Sequence, residues 1–258
     1  CVRVEAERGL IAPRRSGIRR AMNETSDQKG GTPGSDQAGR PIRTFGRIGG
    51  RALSARQQAL VDDLLPQLQV PEGLADPQTL FPGLRETWLE IGFGGGEHLA
   101  EQARRNPDVG LIGCEPFIEG MAKALTQVDA DGLTNVRLRM DDARPLVDGL
   151  SPGSLARVFI MFPDPWPKKR QQKRRLIQPD FLDSLHRACR TGAKVRFATD
   201  VTSYADEALW RFLQHGGYNW LAGAADDWRR PPADHVTTRY ETKRLGDCDP
   251  VWYDFEIV

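Results

Sequence analysis

Cysteine is scarce in this 258-residue chain: Cys1, Cys114, Cys189 and Cys248 are the four, and none belongs to a CxxC pair. Thiols so widely spaced exclude a dense disulfide framework and a cysteine zinc site, and a reducing, cytoplasmic location is expected. Cys114 and Cys189 read as small buried apolar residues. The four histidines, His98, His186, His215 and His235, share no metal-ligand spacing, so no metal is expected. No apolar run approaches the roughly 18 residues that a membrane helix needs. GxxxxGK[ST] is absent, which excludes an NTPase P-loop. Gly (26) and Pro (18) together stay below the about 25–30% that marks low complexity. Net charge is nearly absent as well, at +1.

What is present supports a core. Apolar residues make up 39% and charged residues 28%, which excludes a wholly disordered chain. The length fits one large domain, or one domain with a small extension. Charge is unevenly spread. Residues 1–51 hold 11 Lys/Arg against 5 Asp/Glu, and the rest hold 25 against 30, so a basic arm precedes a mildly acidic body. Within that body six cations crowd into residues 168–175, KKRQQKRR. Two local positive regions on a nearly neutral chain point to a polyanionic partner.

Residues 1–40 lack apolar periodicity and read as a disordered arm. Met22 is the expected initiator, with residues 1–21 a misplaced start. Residues 41–85 read as a basic segment followed by an amphipathic helix, Ala55 to Leu68, capped by Ser54. Arg40, Arg43, Arg47 and Arg51 are candidates for a second contact with a polyanion. Residues 86–258 alternate between strand-like and helical stretches. Apolar runs at Thr87–Ile91, Gly110–Cys114, Val136–Met140, Val158–Phe162 and Lys194–Ala198 read as strands. Glu97–Arg105, Ile118–Val128, Pro179–Arg190 and Tyr204–His215 read as helices. That alternation predicts an α/β fold, a parallel sheet with helices on both faces. A last run, Val251–Val258, is strand-like with aromatics and is a candidate to close the sheet edge.

The first strand ends in Glu90-Ile91-Gly92-Phe93-Gly94-Gly95-Gly96, and a helix follows at once. Glycines there allow a sharp turn and close approach of a ligand. Glu115, at the end of the second strand, is placed to hold both hydroxyls of a ribose. The Gly-x-Gly-x-Gly spacing differs from the dinucleotide GxGxxG. S-adenosylmethionine carries no pyrophosphate but a sulfonium and an ammonium, which an acid beside the loop attracts. Asp142, after the third strand, suits an adenine amino group, although an ordinary helix N-cap would also account for it. The fourth strand stops at Pro163-Asp164-Pro165-Trp166-Pro167. Ligands sit at the carboxyl ends of strands in open α/β sheets, which places Asp164 beside the glycine loop and offers Trp166 as a stacking plate. The two prolines fix the backbone around the acid. The basic run follows directly and reads as a phosphate-backbone clamp. Asp200 ends the fifth strand, where it is suited to the two donors on a guanine edge or to capping the next helix. Thr237 through Glu241 reads as a surface loop on its residues alone.

These blocks, EIGFGGGEHL (90–99), CEPF (114–117), DDA (141–143), FPDPWPKKRQQKRR (162–175), ATD (198–200) and TRYE (238–241), resemble the bacterial tRNA (guanine-N7)-methyltransferases of the class I S-adenosylmethionine-dependent fold. The resemblance covers about residues 41–258, and the PDPWPKKR block is its most specific part. It implies a Rossmann-like, mostly parallel sheet with an antiparallel C-terminal strand. It implies that Glu90, Gly92, Gly94, Gly96, Glu115, Asp142 and Asp164 contact S-adenosylmethionine, with Asp164 also the catalytic acid. It implies that Lys168, Asp200, Thr238, Arg239, Tyr240 and Glu241 hold the substrate, and that Arg170, Lys173, Arg174 and Arg175 contact RNA. The implied target is guanine-46 in the variable loop of tRNA. Gln171, Gln172 and Asp247 depart from the family pattern, where histidine is frequent. Monomer and homodimer stay open.

Chemistry constrains the implied reaction. Guanine N7 offers a lone pair and carries no proton, so no general base is needed before attack. Positioning then supplies much of the catalysis. Three rival readings compete: an NAD-dependent dehydrogenase, a non-catalytic RNA-binding scaffold, and a methyltransferase acting on another RNA or on protein. The glycine spacing and the basic run argue against the first, and the intact acid set against the second. Only the resemblance narrows the third to tRNA.

Overall fold

A computed structural model describes residues 52–258. The expectations for residues 1–40, for Met22 and for Arg40, Arg43, Arg47 and Arg51 lie outside the described residues. Ser54 opens helix α1 (Ala55–Asp63) through a reciprocal capping box with Gln57. A separate turn, α2 (Leu65–Leu68), follows. The sequence predicts one helix here; the structure splits it because Pro66 has no N–H to continue the ladder.

The body runs β1 (Glu86–Ile91), α3 (Glu97–Arg105), β2 (Val109–Cys114), α4 (Ile118–Asp131), β3 (Val136–Arg139), α5 (Ala143–Gly149), β4 (Leu155–Met161), α6 (Pro179–Ala188), β5 (Cys189–Thr199), α7 (Thr202–His215), β6 (Tyr218–Trp220), α8 (Asp226–Arg229), α9 (Arg239–Thr242) and β7 (Val251–Ile257). The five core strands, β7 and helices α3, α4, α6 and α7 match the sequence periodicity, whereas α5, β6, α8 and α9 are additions to it. The sheet order is β3-β2-β1-β4-β5-β7-β6. β1 pairs in parallel with both β2 and β4, and β4 with β5; β7 alone runs against its two neighbours. The last strand therefore does not close the edge, as the sequence reading expects. It lies between β5 and β6, and the three-residue β6 takes the edge.

Both sheet faces are covered. β1, β2 and most of β4 are buried along their length, which is why they read as continuous apolar runs rather than alternating ones. On one face Leu89, Ile91, Ile160, Phe197 and Phe255 pack with Tyr204 and Phe212 of α7. On the other Trp88, Leu111, Phe159 and Met161 pack with Leu99 of α3 and Leu125 of α4. Cys114 and Cys189 are buried thiols within the sheet. No helix among the described residues is long and apolar enough to cross a membrane. Strand order reverses between β1 and β4, which opens a crevice at their carboxyl ends.

Candidate functional site

The glycine loop leaves β1 into that crevice. Gly92, Gly94 and Gly96 have φ of +73°, +55° and +78°, a region that only glycine enters without strain. A Cβ on Gly96 would also lie 2.6 Å from the Ala124 methyl of α4. The loop is buckled to its neighbour by Glu115, whose two carboxylate oxygens accept the N–H groups of Gly94 (2.9 Å) and Phe117 (3.0 Å). Burial pushes the Glu115 pKa up to about 7, against those two hydrogen bonds, and the nearby charge of Asp164 adds to the rise. Glu115 and Asp164, 49 residues apart in sequence, thus face one crevice.

Glu90 is buried beneath the loop and pairs with His98 Nδ1 at 2.7 Å. The Gln102 amide donates to the Asp234 carbonyl at 3.0 Å and faces His98 Nε2 at 3.4 Å. A ring nitrogen facing an N–H is an acceptor, so His98 donates from Nδ1 to Glu90 and keeps that carboxylate oriented. Sequence reasoning assigned no role to His98. Its distance from Glu90 is set by the turn of the loop, which no residue spacing reveals.

Asp142 N-caps α5 and holds Arg144 through both of its oxygens. Burial works to raise its pKa, but the Arg144 guanidinium outweighs it and keeps the carboxyl ionised below its ordinary range. The cap and a position at the end of β3 coexist in one residue.

β4 ends in a strained turn. Phe162 and Trp166, with φ of +52° and +42°, bracket Pro163-Asp164-Pro165. Asp164 is exposed just beyond the carboxyl end of β4, yet enough protein surrounds its carboxyl for desolvation to raise its pKa. Asp200, at the end of β5, is buried and accepts the Tyr240 hydroxyl at 3.2 Å. The Tyr240 ring lies 5.3 Å from Phe162. Burial, Asp200 and Asp164 together push the Tyr240 pKa up to about 12. Tyr240 therefore touches both Asp200 and Phe162, and the charge of Asp164 reaches both Tyr240 and Glu115. Phe162 is a member of this set that the sequence reading assigned only to the strand.

The TRYE segment is not the plain surface loop that its residues alone suggest. Thr238 and Glu241 form a capping box, and Glu241 also pairs with His235 Nε2 at 2.8 Å. In the free chain their side chains hold the first turn of α9, which carries Tyr240 toward Asp200. Arg239 is largely exposed and reaches Glu97 at 3.1 Å. Asp247, where histidine is frequent in the family, accepts the Thr202 N–H (2.7 Å) and hydroxyl (2.9 Å) at the start of α7.

The basic run is a short 3-10 turn, Lys169–Arg174. Lys168, Arg170 and Lys173 are exposed. The Arg174 guanidinium covers one face of Trp166 at 5.1 Å, so that face is not a bare stacking plate. Arg175 contradicts the expectation of an RNA contact. Its side chain is fully buried, because its guanidinium is consumed by Pro165, Ser203 and Glu207.

Fold and site together define a methyltransferase of the class I architecture. The family model described as "Putative methyltransferase" matches residues 85–252. A tRNA (guanine-N(7)-)-methyltransferase of Hyphomonas neptunium is 58% identical over 84% of this chain and 100% of its own length. One from Rhodospirillum rubrum is 46% identical over 79% of this chain and 82% of its own. The chain belongs to the tRNA (guanine-N(7)-)-methyltransferase family. Among solved structures, the 16S rRNA methyltransferase KamB superposes with a TM-score of 0.52 at 19% identity, covering 70% of this chain and 91% of its own, a likeness of fold alone.

Proposed function

We propose that this protein transfers a methyl group from S-adenosylmethionine to N7 of guanine-46 in the variable loop of tRNA, giving 7-methylguanosine. The observation that carries the reading is the convergence of Glu115, Asp164, Asp200 and Tyr240 on one crevice beside exposed Lys168, Arg170 and Lys173. Membership of the family supports the same substrate.

The residues suit the cofactor. The left-handed glycine loop leaves a backbone cradle without side chains, and Glu115 is a two-oxygen acceptor for a ribose diol. Asp142 is assigned the adenine amine, and Glu90, buried beneath the loop, the ammonium of the amino-acid end. S-adenosylmethionine, when bound, supplies an electrophilic methyl on a sulfonium. Asp164 and Asp200 then act on the purine. Guanine presents its N1–H and amino donors to Asp200, while Phe162 and Tyr240 flank the ring. Its N7 carries no proton, so no side chain here acts as a base. The purine gains positive charge as the N7–methyl bond forms and the methyl–sulfur bond breaks, leaving a neutral thioether, and Asp164 stabilises the charge on the purine. Incubation with labelled S-adenosylmethionine and unmodified tRNA, followed by nucleoside analysis, tests the reading. Label in 7-methylguanosine is expected; label in any other nucleoside overturns the substrate.

A further inference from the structure

The cations of residues 168–175 do not act alike. Lys168, Arg170 and Lys173 face solvent, and none of them makes an ion pair with a described carboxylate. Arg175 points the other way. Four hydrogen bonds leave its guanidinium: Nε to the Pro165 carbonyl (2.7 Å), Nη1 to the Ser203 carbonyl (2.9 Å), Nη1 to the Glu207 carboxylate, and Nη2 to the Ser203 hydroxyl (2.9 Å). The Tyr204 ring lies 4.7 Å beneath it. Glu207 is held in place in turn by Arg211 at 2.6 Å, and Arg211 by Gln178 at 2.7 Å.

Three of these four bonds end on α7, and the fourth ends on the carbonyl next to Asp164. Pro163 and Pro165 contribute no N–H to the turn, so the turn has few backbone bonds of its own. Phe162 and Trp166 sit in strained backbone on either side of it. A strained turn without a ladder needs an external tie. Only a planar fork of donors reaches all three partners at once, which a lysine ammonium on a flexible stem does not reproduce.

From this geometry we infer that Arg175 is a positioning residue: it ties the Asp164 turn to α7 and takes no part in gripping RNA. The inference rests on the methyl-transfer reading above for its kinetic test. A second readout does not.

The test compares the full-length wild type with Arg175→Lys and Arg175→Met, using Lys173→Ala as the RNA-contact control. Thermal melting first establishes that each is folded. For both Arg175 variants, kcat is expected to fall at least about tenfold, while KM for tRNA and the slope of log affinity against log salt stay at wild-type values. Lys173→Ala is expected to do the reverse, weakening tRNA binding and reducing the salt slope by about one. Independently of any substrate, hydrogen exchange at the Asp164 and Trp166 amides is expected to quicken in the Arg175 variants. An Arg175 variant with a raised KM and a reduced salt slope at unchanged kcat would make it an RNA contact and overturn the inference. A lower melting temperature with unchanged kcat and unchanged exchange would make it a merely structural residue, and overturn it equally. If neither Arg175 variant folds, Ser203→Ala and Glu207→Gln each remove one partner from the α7 side, and the same split in kcat and KM is required of them. Absence of 7-methylguanosine from the wild-type reaction would refute the methyl-transfer reading and leave the exchange result to decide on Arg175.

Discussion

In the proposed reaction two carboxylates carry different burdens: Asp164 acts on charge that appears as the methyl transfers, whereas Glu115 acts on the bound cofactor. Asp164→Ala should therefore lower turnover by about a hundredfold or more, with a smaller loss in S-adenosylmethionine affinity. Single-turnover kinetics beside calorimetric titration separate the two, and near-normal turnover would remove Asp164 from the chemistry. Glu115 titrates near neutrality in the free protein, at about 7 against an ordinary 4.5. Ribose hydroxyls donate to its ionised form. Cofactor affinity should thus climb as pH rises toward about 7, close to tenfold per unit at the acid end, and level off above. The free fold loses stability over the same window, because between 4.5 and about 7 the folded chain holds a proton that the unfolded chain has released. Glu115→Gln should bind weakly at every pH, with a flat profile; a flat profile in the wild type would refute the assignment.

The elements place these groups by close backbone approach. Gly120 of α4 faces the glycine loop, and a Cβ there would lie 2.5 Å from the Gly94 carbonyl and 2.9 Å from Glu115 Cγ. Gly120→Ala should displace the loop and weaken cofactor binding by about tenfold or more while the chain stays folded; unchanged affinity in titration would show that the loop yields freely. Neither Gly120 nor His98 stood out in the sequence, because each acts on a residue brought near only by the sheet. The strands of the parallel core were legible, since β1, β2 and β4 are short apolar runs, the first followed by glycine, the second by an acid and the third by a proline-rich turn. β6 was not, because three residues carry too little period. Nor was the position of β7: an aromatic run ending a chain looks the same at an edge or inside. The basic run shows the limit most sharply. Arg174 and Arg175 are adjacent and chemically identical, yet one covers Trp166 and the other lies under Pro165.

At the scale of the molecule, the crevice sits where strand order reverses, and exposed Lys168, Arg170 and Lys173 line its approach. The body as a whole is mildly acidic, so a polyanion meets attraction at this place and repulsion elsewhere. On the proposed reading, tRNA docks here with its variable loop toward Asp164 and Asp200. Whether this crevice methylates N7 of one guanine is decided by following labelled methyl transfer from S-adenosylmethionine to an unmodified tRNA transcript and to the same transcript with guanine-46 replaced by adenine. Strand cleavage specific for 7-methylguanosine then maps the label. Label at position 46 of the first transcript and none in the second is the predicted result. Equal labelling of both, or label in another nucleoside, would contradict it.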